Sequence, residues 1–185
     1  MTALAQPYYD YFGAQAGPAG RGYYSYDLGG WHLVALNSNV AYDAASPQVT
    51  WLEADLAASS APCVLAYWQH PRFSPGPHDS EPALRAVWAA LYAAGADGVL
   101  LAYDHLYRRF APQDPDGKPD VTRGIRQFTA GTGGSDLYAM VNRKANSEAL
   151  LSSHGVLTLT LRDGGYDWTF VPVSGAGDRG SARCH

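Results

Sequence analysis

Two short segments of the chain combine side chains that can move protons or hold anions. The first covers residues 69–72 (Gln-His-Pro-Arg) and the second covers residues 103–109 (Tyr-Asp-His-Leu-Tyr-Arg-Arg). Histidine is the side chain whose ordinary pKa lies nearest neutrality, so His105 and His70 are candidate acid or base groups. Tyr103 is a candidate hydrogen-bond donor to a carbonyl or enolate oxygen.

Each candidate also has an ordinary structural interpretation. A lone histidine is more often a hydrogen-bonded structural residue than a catalyst, and His70 precedes a proline and can simply orient its loop. Arg72 and Arg109 can bind a carboxylate or phosphate, but each can equally form a structural ion pair. The predicted catalytic residues are His105, Tyr103, Asp104 and His70, and the predicted substrate-binding residues are Gln69, Arg72, His78, Tyr107 and Arg109.

Both segments follow a predicted buried strand. Residues 64–68 and 98–101 are continuous apolar runs of strand length, typical of strands that are buried on both faces. Helical patterns separate them, and in open α/β sheets ligands bind at the carboxyl ends of the strands. We therefore expect the two segments to converge on one pocket.

Local signals predict the elements that position this pocket. Ser46-Pro47 is typical of a helix start, and this helix should end near Ser59. A second helix is predicted from Ser80 to about Gly95. Gly29-Gly30 between two strand-like runs is typical of a hairpin. The predicted strands cover residues 23–28, 31–36, 64–68, 98–101, 125–130, 156–161 and 166–173.

Composition limits the domain organisation and the partners. A chain of 185 residues can bury one sizeable core, so we expect a single domain over residues 1–175. Residues 176–185 are expected to form a flexible tail. A net charge of −4 without a basic stripe argues against nucleic acid as a partner. No apolar run reaches the ~20 residues of a membrane span, so no membrane partner is expected.

The two polar segments resemble motifs of the calcineurin-like metallophosphoesterases, the superfamily that includes the purple acid phosphatases. In that family one strand ends in Tyr-Trp-His-His-Pro-Arg-Phe, and a later one ends in Asn-Gly-His-Asp-His-Asp-Tyr-Glu-Arg-Phe. Here Gln69 replaces a histidine of the first motif, and Leu101, Ala102 and Tyr103 replace Asn-Gly-His of the second. The resemblance covers the C-terminal half of the family's domain. It implies an α/β fold that is half of the metallophosphoesterase β-sandwich, with a mixed sheet and flanking helices.

The family's metal centre is degenerate in this sequence. His105 is the one family ligand position that survives unchanged, and the Asp-x-His, Gly-Asp-x-x and Gly-Asn-His motifs of the family's N-terminal half do not occur. A two-metal site needs several oxygen and nitrogen donors and a bridging carboxylate. Gln69, Tyr103 and His105 cannot supply that set, so we expect no metal and no other cofactor.

Three functions stay open. The favoured one is a metal-independent enzyme for a small molecule, such as a cyclase, isomerase or lyase of secondary metabolism. The alternatives are a residual metal-dependent phosphoesterase, in which His105 and Asp104 hold one ion or a partner chain supplies ligands, and a noncatalytic binding or assembly protein. Loss of the family's N-terminal strands would expose more apolar sheet than monomers tolerate, so we also expect a homodimer.

The cysteines bear on localisation. Residues 1–7 lack the features of a signal peptide, and residues 40–46 lack a cysteine pair that exported relatives carry there. Both observations favour a cytoplasmic protein in a reducing compartment. Cys63 and Cys184 are therefore expected to be free thiols, although the sequence leaves their pairing open.

Overall fold

The computed structural model describes residues 5–18, 20–74, 81–139 and 143–185. Its helices are α1 (Gln6–Phe12), α2 (Pro47–Ala58) and α3 (Arg85–Ala93), with short 3-10 turns at Gly13–Ala16 and Pro82–Leu84. Its strands are β1 (Tyr24–Leu28), β2 (Trp31–Ala35), β3 (Cys63–Trp68), β4 (Gly98–Leu101), β5 (Tyr107–Phe110), β6 (Arg126–Ala130), β7 (Ser147–Leu151), β8 (Gly155–Arg162), β9 (Gly165–Pro172) and β10 (Asp178–Arg183).

These strands form two sheets. The larger has seven strands in the order β1-β2-β3-β4-β6-β5-β7, and the smaller has three in the order β10-β9-β8. Strands β2, β3, β4 and β6 are mutually parallel, whereas β1, β5 and β7 are antiparallel to their neighbours. The mixed α/β architecture expected from the sequence is confirmed.

Alternation along the strands divides the core between two faces of the larger sheet. Val34, Ala66 and Val99 point to one face and pack with side chains of α2 and α3. Their neighbours along the strands, such as Leu33 and Leu65, point to the other face and pack against the smaller sheet. Successive strand side chains face opposite ways, so a central strand that is covered on both sides must be apolar throughout.

The helix boundaries follow their capping residues. Val49 N donates to Ser46 Oγ over 3.2 Å, and α2 ends at Ala58, as predicted. The predicted cap at Ser80 lies outside the described residues. Before α3, the Glu81 carboxylate accepts a hydrogen bond of 3.2 Å from Ala83 N and begins the 3-10 turn.

The prediction of a flexible tail over residues 176–185 is wrong for most of that segment. Asp178–Arg183 form β10, which pairs with β9 along its whole length. The segment Asp-Arg-Gly-Ser-Ala-Arg has no apolar pattern that would mark it as a strand. It becomes a strand because its backbone forms hydrogen bonds with β9. This is why composition alone suggested a tail.

The expectation of free thiols is also wrong. Cys63, at the start of β3, and Cys184, after β10, form a disulfide. Buried Asp97 supports this junction, because its carboxylate accepts from Val64 N and His185 N. A bridge between residues 121 positions apart stabilises the fold by about 4–5 kcal/mol in the chain-entropy model. Disulfides persist mainly in oxidising compartments, so the bridge weighs against the predicted cytoplasmic location.

Among the described residues, no helix is both long enough and apolar enough to cross a bilayer.

Candidate active site

The two polar segments meet where neighbouring parallel strands end. Strands β3 and β4 run side by side with Trp68 opposite Leu101. Beyond them, Ala102 N donates to the carbonyl oxygen of Gln69 over 3.3 Å. The structure therefore brings Gln69 and Tyr103 to the same edge of the sheet, as the strand pattern predicts.

A cleft of about 510 Å³ opens at this edge, which we call the His105 cleft. Its walls come from the end of β3, the turn after β4 and the glycine-rich loop after β6. A wider groove of about 900 Å³ lies between α2 and α3, but alanine lines most of it and it contains none of the predicted site residues. The side chains and loop residues that define the His105 cleft include Gln69, Tyr103, His105, Gly131, Ser135 and Tyr138.

The glycine-rich loop lies very close to the turn that carries the candidate residues. A Cβ atom on Gly131 would lie 2.2 Å from the carbonyl oxygen of Asp104, so any larger residue would push the two loops apart. Gly131 thus sets the width of the cleft floor.

Tyr103 has an unusual backbone conformation. Its φ angle is 72°, in the left-handed region that residues with a Cβ rarely adopt. Asp104 N donates to Ala102 O over 2.9 Å and Leu106 N donates to Asp104 O over 2.8 Å, which holds the turn in place. Such conformations cost about 1–3 kcal/mol and cluster at functional sites.

His105 has one ring nitrogen fixed and the other open. Its Nδ1 lies 2.8 Å from the carbonyl oxygen of Asp136, and its ring stacks on Tyr138 with centroids 4.6 Å apart. A carbonyl oxygen can only accept, so Nδ1 carries the proton that it donates. In the neutral ring, Nε2 therefore holds the lone pair and is the nitrogen available as a base.

His70 lies beside the His105 cleft and supports Tyr103. Its Nδ1 is 2.7 Å from Ser38 Oγ, and its backbone N donates to the same oxygen over 3.2 Å. The rings of His70 and Tyr103 are in contact, with centroids 4.5 Å apart. This geometry suits a residue that positions Tyr103 better than one that reacts.

Asp104, predicted to be catalytic, lies in the interior and does not line the cleft. Its side chain is 1% exposed and accepts a 2.5 Å hydrogen bond from Ser74 Oγ. Arg108, which the sequence analysis did not single out, is equally buried near it. Burial lowers the pKa of Arg108 to about 10, although Asp104 acts in the opposite direction. Asp104 thus belongs to a buried charged region behind the cleft.

Tyr107 and Arg109 do not lie at the cleft but between the two sheets. The Tyr107 hydroxyl donates to Asp178 Oδ2 over 2.6 Å, and burial together with this bond raises its pKa. Arg109 donates to both oxygens of Asp178 over 2.7 and 3.0 Å, and it also pairs with Glu148. Burial lowers the pKa of Arg109, but Asp178 outweighs it and leaves the pKa raised. Tyr107 and Arg109 were predicted to bind substrate. The structure corrects this prediction, because both side chains bind Asp178 and join the two sheets.

Arg72 is likewise used structurally. Its guanidinium lies over the Phe73 ring at 4.7 Å and donates to the carbonyl oxygen of Pro115 over 3.3 Å. Burial, followed by the nearby Arg85, lowers its pKa. His78, the remaining predicted binding residue, lies outside the described residues.

Sequence reasoning missed several residues of the cleft wall. Gly131, Gly133 and Gly134 follow β6, and the strand-end rule that selected Gln69 would have selected this loop as well. Tyr138 has no comparable signal, because it reaches His105 only through the fold of the loop after Ser135.

The donors at this site do not fit a binuclear metal centre. The described part of the cleft offers one imidazole, an amide and phenols, and no carboxylate that could bridge two ions. Across the described ranges, the one group of three close metal donors is Cys63, Asp97 and Cys184, at the opposite end of β3 and β4. Two of those three are joined in the disulfide.

Comparison with known proteins supports the fold but covers only part of the relatives. No protein-family model matches the chain. Purple acid phosphatase 15 of Arabidopsis thaliana is 34% identical over 101 residues, which are 51% of this chain and 19% of that protein. The chain thus spans about a fifth of the length of this relative.

Solved structures extend the likeness to almost the whole chain. Purple acid phosphatase PPD1 from yellow lupin (Lupinus luteus) seeds superposes with a TM-score of 0.80 at 15% identity, over 91% of this chain and 34% of that one. GAP50, the anchor in the inner membrane complex of Plasmodium, superposes with a TM-score of 0.66 at 13% identity, over 90% of this chain and 56% of that one.

The strand order, the site at the strand ends and these similarities agree with one another. Purple acid phosphatases match about half of the chain, and its fold is that of a partial calcineurin-like metallophosphoesterase domain.

Proposed function

We propose that the chain is a metal-independent acid–base enzyme that acts on a small organic molecule in the His105 cleft. The observation that carries the proposal is the orientation of His105. Its Nδ1 proton is committed to the Asp136 carbonyl, so Nε2 is left as a proton acceptor in a cleft that also holds a phenol.

These two groups suffice for the chemistry shared by isomerases, lyases and many cyclases. His105 Nε2 takes a proton from a carbon next to a carbonyl group, while the Tyr103 hydroxyl donates a hydrogen bond to the oxygen on which negative charge develops. Protonated His105 then returns the proton to another carbon, or to a leaving group. The strained turn at Tyr103 and the contact with His70 hold the phenol in place before substrate binds.

The test compares matched variants on a mixture of small carbonyl compounds, with depletion followed by mass spectrometry. We expect H105Q to lower turnover by about 10²–10⁴-fold, the usual contribution of a positioned acid or base. H185Q is the control, since His185 binds Asp97 at the other end of the sheet. Y103F should also lower turnover, whereas Y11F, at a tyrosine that is 83% exposed, should not. Unchanged turnover in both H105Q and Y103F would contradict the proposal.

A residual metal-dependent phosphoesterase is the second candidate, and the likeness to purple acid phosphatases favours it. In this case His105 is one ligand, and the others come from outside the described cleft. Hydrolysis of p-nitrophenyl phosphate that requires added Mn²⁺, Fe²⁺ or Zn²⁺ and is lost in H105Q would replace the first proposal with this one.

A noncatalytic role is the third candidate, favoured by the structural likeness to GAP50, the anchor in the inner membrane complex of Plasmodium. Absence of turnover in both assays, together with saturable ligand binding to the wild-type chain, would support it.

A further inference from the structure

A second cleft adjoins the His105 cleft and shares Gln69 with it. This second cleft has a volume of about 780 Å³ and lies between α1 and the loop that follows β2. Gln69 lines both clefts. The residues that matter in the second cleft are Tyr8, Tyr9, Asn37, Ser38 and Asn39.

The loop after β2 is fixed before any ligand binds. Asn37 N donates to Gln48 Oε1 over 2.8 Å, and Gln48 Nε2 donates back to the Asn37 carbonyl oxygen over 3.1 Å. Gln48 is 2% exposed, so α2 anchors the loop from the core. Asn39 N donates to Asn37 Oδ1 over 2.9 Å, which orients the Asn37 side chain. A preorganised loop of amides and a hydroxyl is suited to hydrogen bonding with a ligand.

The described walls of the two clefts are uncharged. Among the described residues, no Asp, Glu, Lys or Arg lines either of them. Arg72 and Arg109, the cations expected to bind a phosphate or carboxylate, are occupied by Pro115 and Asp178. Sites for phosphate groups normally use such cations or a metal ion. Amides, hydroxyls and tyrosine rings instead suit an uncharged molecule with rings and hydroxyl groups.

We infer that the two clefts form one binding site for an uncharged, ring-bearing, polyhydroxylated molecule, such as a neutral glycoside whose ring system also carries a carbonyl group, that spans Gln69. The inference rests on the proposed function, since it names the substrate class of the same site. The two volumes are in the range of known small-molecule sites, and the polar groups lie on either side of a single shared residue.

The experiment uses two probes that share a ring and differ in charge. p-Nitrophenyl β-D-glucoside and p-nitrophenyl phosphate are each titrated into the full chain and followed by amide NMR. We expect saturable binding of the glucoside in the millimolar range or tighter, with shifts near Asn39 and near Ser135, on both sides of Gln69. The phosphate should bind at least about tenfold more weakly.

Variants test the shared residue. Q69A and N39A should each weaken glucoside binding by about tenfold, whereas Y11F should bind like the wild type. Tighter binding of the phosphate, shifts confined to one cleft, or full affinity in Q69A would each overturn the inference.

The outcomes also separate this inference from the proposed function. Binding of the glucoside, together with no turnover of any carbonyl compound in the first assay, supports the binding site and contradicts the acid–base enzyme. If the enzyme turns over a charged substrate and H105Q abolishes that turnover, the acid–base function is supported. The inference of a site for uncharged molecules is then wrong.

Discussion

The residues at the strand ends differ in how free they are to react. Asp104 is 1% exposed and already accepts a short hydrogen bond from Ser74, so its carboxylate is committed to the interior. His70 uses Nδ1 to contact Ser38. His105 is held through Nδ1 by a carbonyl oxygen, and this single bond both orients the ring and decides which nitrogen carries the lone pair. Chemistry at this site therefore depends on one histidine.

His32 shows how carboxylates hold a histidine that has only a structural role. Its Nδ1 lies 2.7 Å from Asp27 and its Nε2 lies 2.9 Å from Asp55. Burial lowers the pKa of His32, but the hydrogen bonds to both carboxylates outweigh burial, so the pKa is raised above its ordinary 6.5. Stabilisation from the charged ring is complete below the unfolded-state pKa and is lost as the pH rises through the folded-state pKa.

We expect the free energy of unfolding to fall as the pH rises above about 6.5, and to fall less steeply in H32Q than in the wild type. His185, whose pKa Asp97 raises, acts in the same direction, so H32Q should reduce the slope without abolishing it. Urea unfolding at several pH values measures the slope. Equal slopes for H32Q and the wild type would show that His32 is not charged in the folded protein.

At the scale of elements, strand alternation decides which neighbours of His105 reach the cleft. Tyr107 and Arg109 are two residues apart in β5 and point to the same face, towards the smaller sheet. There they meet Asp178 of β10, which also accepts from Trp168 Nε1 over 3.2 Å. The ion pair thus joins the two sheets at a position that the sequence placed in a tail.

We expect D178A to lower the free energy of unfolding by about 3–5 kcal/mol, because it leaves the buried Arg109 charge without its main partner. The control is D167A, which breaks the pair between Asp167 and Arg162 in the same sheet. That arginine is 55% exposed, so the loss there should be at most about 1 kcal/mol. Urea unfolding measures both losses. Equal losses of unfolding free energy in D178A and D167A would mean that burial of the Asp178 pair adds nothing to stability.

The parts of the fold that sequence could predict are those that local pattern determines. Strands β3 and β4 were predictable from their apolar runs, and α2 from Ser46 and Pro47, because burial and capping are properties of the segment itself. β5 and β10 were not predictable, since partner strands and an ion pair define them. Gln69 and Tyr103 could be placed at the cleft from strand order. The position of Tyr107 could not be predicted, because the face of β5 on which its side chain lies depends on where the turn after β4 ends.

At the scale of the whole molecule, the outer edge of the smaller sheet at β8 has no partner strand among the described residues. β8 pairs with β9 alone among the described residues, so its other edge carries backbone groups that no strand satisfies. The strand is eight residues long and contains no proline and a single charge, Arg162. Leu157, Leu159 and Leu161 alternate on its inner face and are only half-buried. Long apolar edges of this kind favour association with another strand.

We propose that a second copy of the chain covers this edge by antiparallel pairing of β8 with its symmetry mate. A two-fold axis near Leu159 aligns the leucines of both copies on one face and places the two Arg162 side chains at opposite ends, so like charges do not meet. The wild-type chain should therefore elute as a dimer in size-exclusion chromatography with light scattering. L157K puts an inward-pointing charge on the edge and should give a folded monomer, whereas T169K, on the exposed side of β9, should remain a dimer. A wild-type monomer at micromolar concentration, or a dimer that survives in L157K, would contradict pairing through β8. In the first case the half-buried leucines are exposed to solvent, and in the second another surface joins the copies.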